Sequence, residues 1–354
     1  MARARFLPAK ETLGGAHGKE IRSVKAMILA AGFGHRLRPL TLVRPKPLCP
    51  VGNVPLVDDW IRRLARAGIS EIVINAHHLA DRLEAHLRST QWPVPVHLLR
   101  EEKILGTGGG LRNALPLLGD DPFLVVNGDI ACDLPIGELM RRYRNSGAPA
   151  LLVLCRTGTF DSVLVNQSGD RIQAFTQGRS EEGKNGKTFR PLWTFTGVHV
   201  IDPHLLKALP AGKPFHIIPV YERLIQAKNP PAAWCLPNLW WREIGSVEAY
   251  WALNRECMQR TAGPLIPDGT VRGRVLIHPT ARVDHPVYFE DTVVIGPRCH
   301  VGREAHLRDV ILWEDVRVAP GVSLKGCIVT DGIHVPKDQS QAILLPDGKA
   351  PLVL

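Results

Sequence analysis

Two glycines, an arginine and a lysine early in the chain mark where chemistry can happen. The apolar run Ala26-Met27-Ile28-Leu29-Ala30-Ala31 leads into Gly32 and Gly34; Arg36 follows, and Lys46 comes ten residues later. A strand that opens into a glycine loop leaves backbone N–H groups free of side-chain bulk, an arrangement suited to a polyphosphate. Ala30, Ala31, Gly32 and Gly34 are therefore candidate nucleotide-binding positions. Arg36 and Lys46 add fixed positive charge where negative charge would build on a reacting phosphoryl group. A second chemical signal closes the apolar stretch 123–126, which ends in Asn127-Gly128-Asp129. A hard Mg²⁺ ion bridging substrate phosphates takes one or two carboxylates and keeps several waters. Asp129 is thus a metal-ligand candidate, with an Asx-type turn as the alternative.

Two other glycine-loop chemistries do not fit. A dinucleotide-binding turn needs a third glycine where Leu37 stands, and its helix would have to run through Pro39. Gly186-Lys187-Thr188 supplies the tail of a P-loop, but Glu181 occupies the place of its first glycine and no strand precedes it.

The elements that must hold these residues follow from periodicity. Val54-Pro55 opens a helix with Leu56, Trp60, Ile61 and Leu64 on one face, and Gly68 ends it. A strand is expected over 71–76, a helix near 79–87, a strand near 94–99, a helix over 109–117 and a strand over 123–126. This alternation predicts an α/β fold, a doubly wound, mainly parallel sheet with ligands at the strands' C-terminal ends. Gly106, Thr107 and Gly108 precede the helix expected at 109, where they would let a flat ring approach the backbone. Residues 149–245 read as a further part with strands near 150–155, 162–166 and 192–201 and a helix near 219–228.

From Val275 the pattern changes. Ile277, Val283, Phe289, Ile295, Val301, Leu307, Trp313 and Ala319 recur every six residues, and small or β-branched residues stand two places before the first six of them. Such a period predicts a C-terminal left-handed parallel β-helix, three hexads to a coil. The expected division is an extension over 1–23, a catalytic part over 24–262 and the hexad part with its tail over 263–354. None of the candidate site residues lies in the hexads, which predicts that the catalytic part works without them. Short prisms commonly associate sideways, so a homo-oligomer is expected. Histidines 278, 285, 300, 306 and 334 keep an acyltransferase open as an alternative.

Composition restricts the class. The chain has 354 residues, 45% hydrophobic and 22% charged, as in ordinary globular proteins. No apolar stretch approaches a membrane span. The net charge of +10 owes +4 to the first 25 residues and is otherwise dispersed, without basic runs interleaved with aromatics, so nucleic acid is not an expected partner. Seven scattered cysteines without a C-x-x-C pair point to reduced thiols in the cytoplasm. The first 23 residues lack a secretory apolar core. They read either as a basic extension or as sequence upstream of a start at Val24.

The string G-x-G-x-R-L-x-P-x-T from Gly32 to Thr41, followed by Pro45-Lys46-Pro47-Leu48, closely resembles the sugar-1-phosphate nucleotidyltransferases. The resemblance covers roughly residues 24–336. It implies transfer of a nucleotidyl group from an NTP to a sugar 1-phosphate, with Mg²⁺ on Asp129 and the nucleobase against Gly106, Thr107 and Gly108. Trp241-Arg242-Glu243-Ile244-Gly245 matches the family's W-x-D-[IV]-G segment, except that Glu243 stands in place of the second metal-binding aspartate. Thr196-Gly197-Val198-His199-Val200 resembles the sugar-contacting strand, so Asn127, Thr196 and Gly197 are the sugar-side candidates. The family's Glu-Lys-Pro is missing from Phe175-Thr176-Gln177-Gly178-Arg179; Arg179 or Arg190 would have to replace its charge. The run from Gly106 to Asp129 looks like N-acetylmuramate-1-phosphate uridylyltransferases, and the added C-terminal domain looks like mannose-1-phosphate guanylyltransferases. GTP and UTP therefore both stay open. The overall pattern favours a mannose-1-phosphate guanylyltransferase-like activity. Uridylyl transfer to N-acetylmuramate 1-phosphate or glucose 1-phosphate, or a non-catalytic regulatory subunit, are the alternatives.

Overall fold

A computed structural model of the chain describes residues 24–176 and 191–352. The expected extension 1–23, and Arg179 and Arg190, lie outside the described residues.

A seven-stranded sheet organises the first part. Its strands lie in the order Ala232–Cys235, Ala150–Cys155, Thr194–Ile201, Phe123–Asn127, Val24–Leu29, Ile69–Ala76 and Val96–Arg100. All neighbours pair in parallel except Thr194–Ile201, which runs antiparallel to the strands on both its sides. Alternation along each strand feeds two cores. Ala26 and Ile28 point to one side with Trp60, Ile61, Leu64, Leu83 and Leu139. Met27 points to the other, with Leu111, Ala114, Leu115, Val220 and Tyr221. Helices thus cover both faces, and the strands between them are buried on both sides, as their nearly continuous apolar runs require.

Local signals explain the helix Leu56–Arg66. Asp58 and Asp59 lie in its first turn and Arg63 and Arg66 in its last, matching the helix dipole. Trp60 sits on its apolar stripe and donates its indole N–H to the Ile130 carbonyl at 2.7 Å, fixing the chain just past Asp129. Val54–Pro55 does not open this helix as expected; it pairs with Pro50–Val51 in a short hairpin, and Pro55 becomes the N-cap.

The helix expected at 109 begins at Gly106 instead and runs to Leu118. Side chains at 108 and 109 would collide with the segment around Phe215, whose carbonyl accepts both their N–H groups at 3.0 and 3.1 Å. The glycines therefore form the first turn of the helix, not a loop ahead of it.

Residues 270–351 form two stacked ladders. Val275–Ile277, Tyr288–Ile295, His306–Leu312, Ser323–Val329 and Gln339–Leu345 pair in parallel along one. Arg282–Val283, His300–Val301, Arg317–Val318 and His334–Val335 pair in parallel along the other. The six-residue spacing holds through Leu307, which pairs with Phe289; one residue is then dropped, so that Leu312 faces Ile295. Leu312 and Val318 consequently take the interior places that the spacing assigned to Trp313 and Ala319.

Freed from that interior, Trp313 enters a different core. One apolar cluster joins Leu37, Leu40, Cys49, Val51, Tyr250, Trp251 and Leu253 to Leu265, Leu276, Val294, Ile311, Trp313, Ile328 and Ile343. Polar contacts cross the same seam. Trp313 donates its indole N–H to the Tyr250 hydroxyl at 2.9 Å, which itself donates to the Pro50 carbonyl at 2.7 Å. Asn53 donates to the Ile295 and Asp268 carbonyls at 3.1 and 3.2 Å. The two parts share a core, so the expectation that the first works without the second turns on whether that core can be lost.

Candidate active site

The glycine loop leaves the sheet at the C-terminal end of Val24–Leu29, where its geometry is set by a buried polar relay. The Ala30 N–H donates to Asn75 Oδ1 at 2.8 Å, and Asn75 Nδ2 donates to Glu101 Oε1 at 2.7 Å. Glu101 Oε2 in turn accepts the Leu105 N–H at 3.0 Å, one residue before the helix at Gly106. Asn75 and Glu101 are only 2% and 6% exposed. Buried polar groups are costly unless satisfied, and here satisfying them ties the glycine loop to the helix start across three strands.

The Asn127-Gly128-Asp129 turn closes on the same loop. Gly128 donates its N–H to the Leu29 carbonyl at 2.8 Å, and a Cβ there would stand 2.9 Å from that oxygen and 3.2 Å from Pro47. Only glycine lets the three segments approach this closely. The result places Lys46 Nζ 2.6 Å from Asp129 Oδ2, in an ion pair that joins residues 83 apart in sequence.

A cavity of 280 Å³ opens between these elements. Ala30, Ala31, Gly32, Lys46, Gly106, Thr107, Asn127 and Asp129 line it, so eight of the expected residues meet on one wall system. Asn75, Glu101 and His216 line it too and were not anticipated. Asn75 carried a faint signal, as a polar residue interrupting an apolar strand; His216 carried none.

Other expected residues lie behind this cavity. Gly34 has a φ of +64° and turns the loop, and its carbonyl accepts the Thr41 hydroxyl at 3.0 Å. Gly108 is covered by Phe215. Thr196 is buried and donates its hydroxyl to the Val153 carbonyl at 2.9 Å, while its own carbonyl accepts the Trp241 indole N–H at 2.9 Å. Gly197, with a φ of +80°, leaves the space that the Asn127 carboxamide fills. The strand residues thus act as supports for Trp241 and Asn127 and do not line either cavity, because the bulge at Gly197 turns their polar atoms inward.

A second cavity, of 410 Å³, adjoins the Glu243 side. Trp241–Glu243 pairs antiparallel with Ile130–Cys132, Glu243 lies opposite Ile130, and the Ile244 N–H donates to the Asp129 carbonyl at 3.0 Å. Asp129 therefore stands in the turn directly before the strand that pairs with that of Glu243, and Glu243 faces Arg36 at 3.5 Å. Arg36, Arg156 and Arg242 give this cavity three guanidinium groups, and Phe160 and Trp241 an aromatic wall with ring centroids 5.9 Å apart. Arg242 is already paired with Glu256 at 2.8 Å, and Arg156 lies 4.4 Å over the Trp193 ring. Ser246 caps the helix Val247–Cys257 by accepting the Ala249 N–H at 3.3 Å.

Two oxygen-donor carboxylates suit an ion that keeps waters and substrate phosphate oxygens as its other ligands. A protein-only cage is a different matter: among the described residues no group of three or more His, Cys, Asp or Glu could hold a metal ion. Cys49, three residues from Lys46, is no nucleophile. Burial pushes its thiol up to about 12, although Arg44 and Lys46 pull the other way.

Among the described residues no helix is long and apolar enough to cross a membrane. Residues 25–163 match the Nucleotidyl transferase family, and residues 271–340 match the GMPPB C-terminal domain. The chain is 32% identical over 234 residues to the N-acetylmuramate alpha-1-phosphate uridylyltransferase of Caulobacter vibrioides, covering 63% of this chain and 93% of that one. It is 29% identical over 326 residues to a probable mannose-1-phosphate guanylyltransferase of Oryza sativa subsp. japonica, covering 89% of this chain and 83% of the other. In fold it is similar to a putative glucose-1-phosphate thymidylyltransferase from Bacillus anthracis. That structure matches with a TM-score of 0.58 at 20% identity, over 69% of this chain and 99% of the other.

Proposed function

The chain belongs to the sugar-1-phosphate nucleotidyltransferase family, and within that family we propose that it joins GTP to mannose 1-phosphate, releasing pyrophosphate. The breadth of the match to mannose-1-phosphate guanylyltransferases, which runs through both parts of the chain, supports this pair over UTP with N-acetylmuramate 1-phosphate. The relatives that use UTP make uridylyl transfer the second reading.

The Lys46–Asp129 contact at the meeting of the loops is the observation that carries the reading. The nucleoside would lie in the cavity of Gly32, Gly106 and Thr107, and the phosphates would extend toward Asp129. In the reaction, an oxygen of the sugar phosphate attacks the α-phosphorus in line and the bond to pyrophosphate breaks. Lys46 supplies a point charge to the reacting phosphoryl group. Arg36, 69% exposed and loosely held by Glu243, is free to swing onto the departing pyrophosphate. Arg156 offers the sugar phosphate the charge that the missing Glu-Lys-Pro would bring, with Phe160 and Trp241 as a surface for the pyranose. Mg²⁺ would be held by Asp129, with Glu243 as the second ligand, and would neutralise phosphate charge. Asp129 and Glu243 each face a cation, Lys46 and Arg36; when these move onto phosphate oxygens, the two carboxylates would take their counter-charge from the Mg²⁺ they hold.

We read the stacked ladders as the left-handed β-helix expected from the hexads, and their open flank as the contact of a homo-oligomer in the cytoplasm; the 17- and 18-residue registers support the first point. Four NTPs crossed with several sugar 1-phosphates, assayed for pyrophosphate, test the activity. Fastest turnover with GTP and mannose 1-phosphate is expected. Selective use of UTP moves the assignment to a uridylyltransferase, and no pyrophosphate from any pair overturns the catalytic reading.

A further inference from the structure

Arg44 stands two residues before Lys46 but points away from the reaction, toward the C-terminal ladders. Its guanidinium donates from Nε to Asp331 Oδ2 at 2.7 Å and from Nη2 to Asp331 Oδ1 at 2.8 Å and Glu314 Oε2 at 2.5 Å. It also lies 5.5 Å from the centroid of the Trp313 ring. The side chain is only 15% exposed. Burial works against its charge, yet the attraction and hydrogen bonds of Asp331 and then Glu314 prevail and hold its pKa above the ordinary arginine value.

The receiving carboxylates are fixed from their own side. Glu314 and Asp331 sit at equivalent corners of successive repeats, where the Glu314 N–H donates to Asp331 Oδ1 at 3.2 Å and Arg298 pairs with the other Glu314 oxygen. Four residues past Lys46 the chain is tied to the same place again, from the Pro50 carbonyl through the Tyr250 hydroxyl to the Trp313 indole N–H. The short helical turn Lys46–Leu48 is thus held at both ends against one tryptophan, whose face meets Arg44 and whose edge reaches Pro50.

We propose that Arg44 is a positioning residue for Lys46, and that the C-terminal ladders set the rate of the reaction by holding this loop. The inference rests on Lys46 acting in catalysis as argued above. A lysine at 44 is no substitute, because a point charge cannot make the two-pronged contact with Asp331 and reach Glu314 together. A displacement of about 1 Å in a reacting group costs up to roughly 10²-fold in rate.

The test uses the full chain, with pyrophosphate release from GTP and mannose 1-phosphate, or from UTP and glucose 1-phosphate if that pair turns over faster. Arg44→Ala should lower kcat about 10- to 100-fold with each KM within about threefold. Arg44→Lys should recover little, and Asp331→Asn should move kcat in the same direction. These two milder variants carry the test if Arg44→Ala does not fold. A double-mutant cycle separates positioning from general loosening: in a Lys46→Ala background, Arg44→Lys should cause no further loss. Losses that multiply in full across the two backgrounds, or a kcat within twofold of wild type in Arg44→Lys, overturn the proposal. Wild-type kcat in Lys46→Ala alone overturns the catalytic reading of Lys46, and the positioning role with it.

Discussion

The two parts of this molecule place their important residues by opposite means. In the sheet part, each functional side chain adjoins a break in regular structure: Lys46 after a proline turn, Asp129 after Gly128, Glu243 at a strand end just before Gly245. Each break needs a residue type that few others can replace, so the site is local and exposed to single substitutions. The ladder part repeats every 17 or 18 residues over most of its length. Its contribution comes from where that regularity slips, because the dropped residue after Leu307 is what sends Trp313 into the seam. A site can therefore be made by interrupting order in one region and by slightly misphasing order in another.

Cutting the chain at Pro264 tests the contrast most severely. It would strip Leu265, Leu276, Val294, Ile311, Trp313, Ile328 and Ile343 from the shared core. Large apolar side chains contribute roughly 1.5–3 kcal/mol each when buried, and a domain's net stability is only about 5–15 kcal/mol. The shortened protein should be insoluble or lack a cooperative melt; a soluble, sharply melting fragment would show that the seam is dispensable.

Asp129→Asn should come next, lowering turnover roughly 10³-fold or more while circular dichroism stays that of the wild type. Near-normal activity would remove Asp129 from the reaction. Lys46→Ala and Arg36→Ala should each cost about 10²–10³ in kcat, and Glu243→Asp should stay well above Glu243→Ala. Changes confined to KM would instead assign these cations to ground-state binding, and equal activity of wild type and Glu243→Ala would make Glu243 structural.

The smallest expected effect concerns the sheet core. His199 is buried beside Tyr221, at 5.9 Å between ring centroids, and neither ring nitrogen has a hydrogen-bond partner among the described residues. Burial lowers its pKa to about 3. The unfolded chain, with an ordinary histidine, binds the proton from about pH 6.5 downward, so stability is lost as pH falls from there toward 3. The slope is about 1.4 kcal/mol per pH unit, or roughly 2 kcal/mol between pH 6.5 and 5. His199→Leu should flatten that part of the curve in urea titrations at pH 7 and 5. An unchanged acid slope would mean that the ring finds a partner when protonated.

What could be read from the sequence was what one segment states by itself. The glycine loop, Lys46, the Asn127-Gly128-Asp129 turn and the parallel sheet all rest on residue types that backbone geometry demands within a few positions. The Asn75–Glu101 relay was legible only faintly, at Asn75 within its apolar strand, because its members are 26 residues apart and nothing beside Glu101 marks it as the partner. Thr196 and Gly197 suited a ligand-facing strand in type and order, but a bulge turned them into supports. Arg156 stood at the end of an apolar strand with nothing nearby to mark it. Trp313 was read in phase with the hexads, since a one-residue slip is visible only once the strands are paired.

The seam also fixes what can be exchanged between proteins. Arg44 and Tyr250 lie before the ladders, while Trp313, Glu314 and Asp331 lie within them, so any crossover between the two parts divides the set. A hybrid taking its ladders from another sequence would face a guanidinium without its carboxylates, or a tyrosine hydroxyl without its indole. The unit that can be inherited intact is therefore the set of five residues, and recombination that respects only the domain boundary would break it.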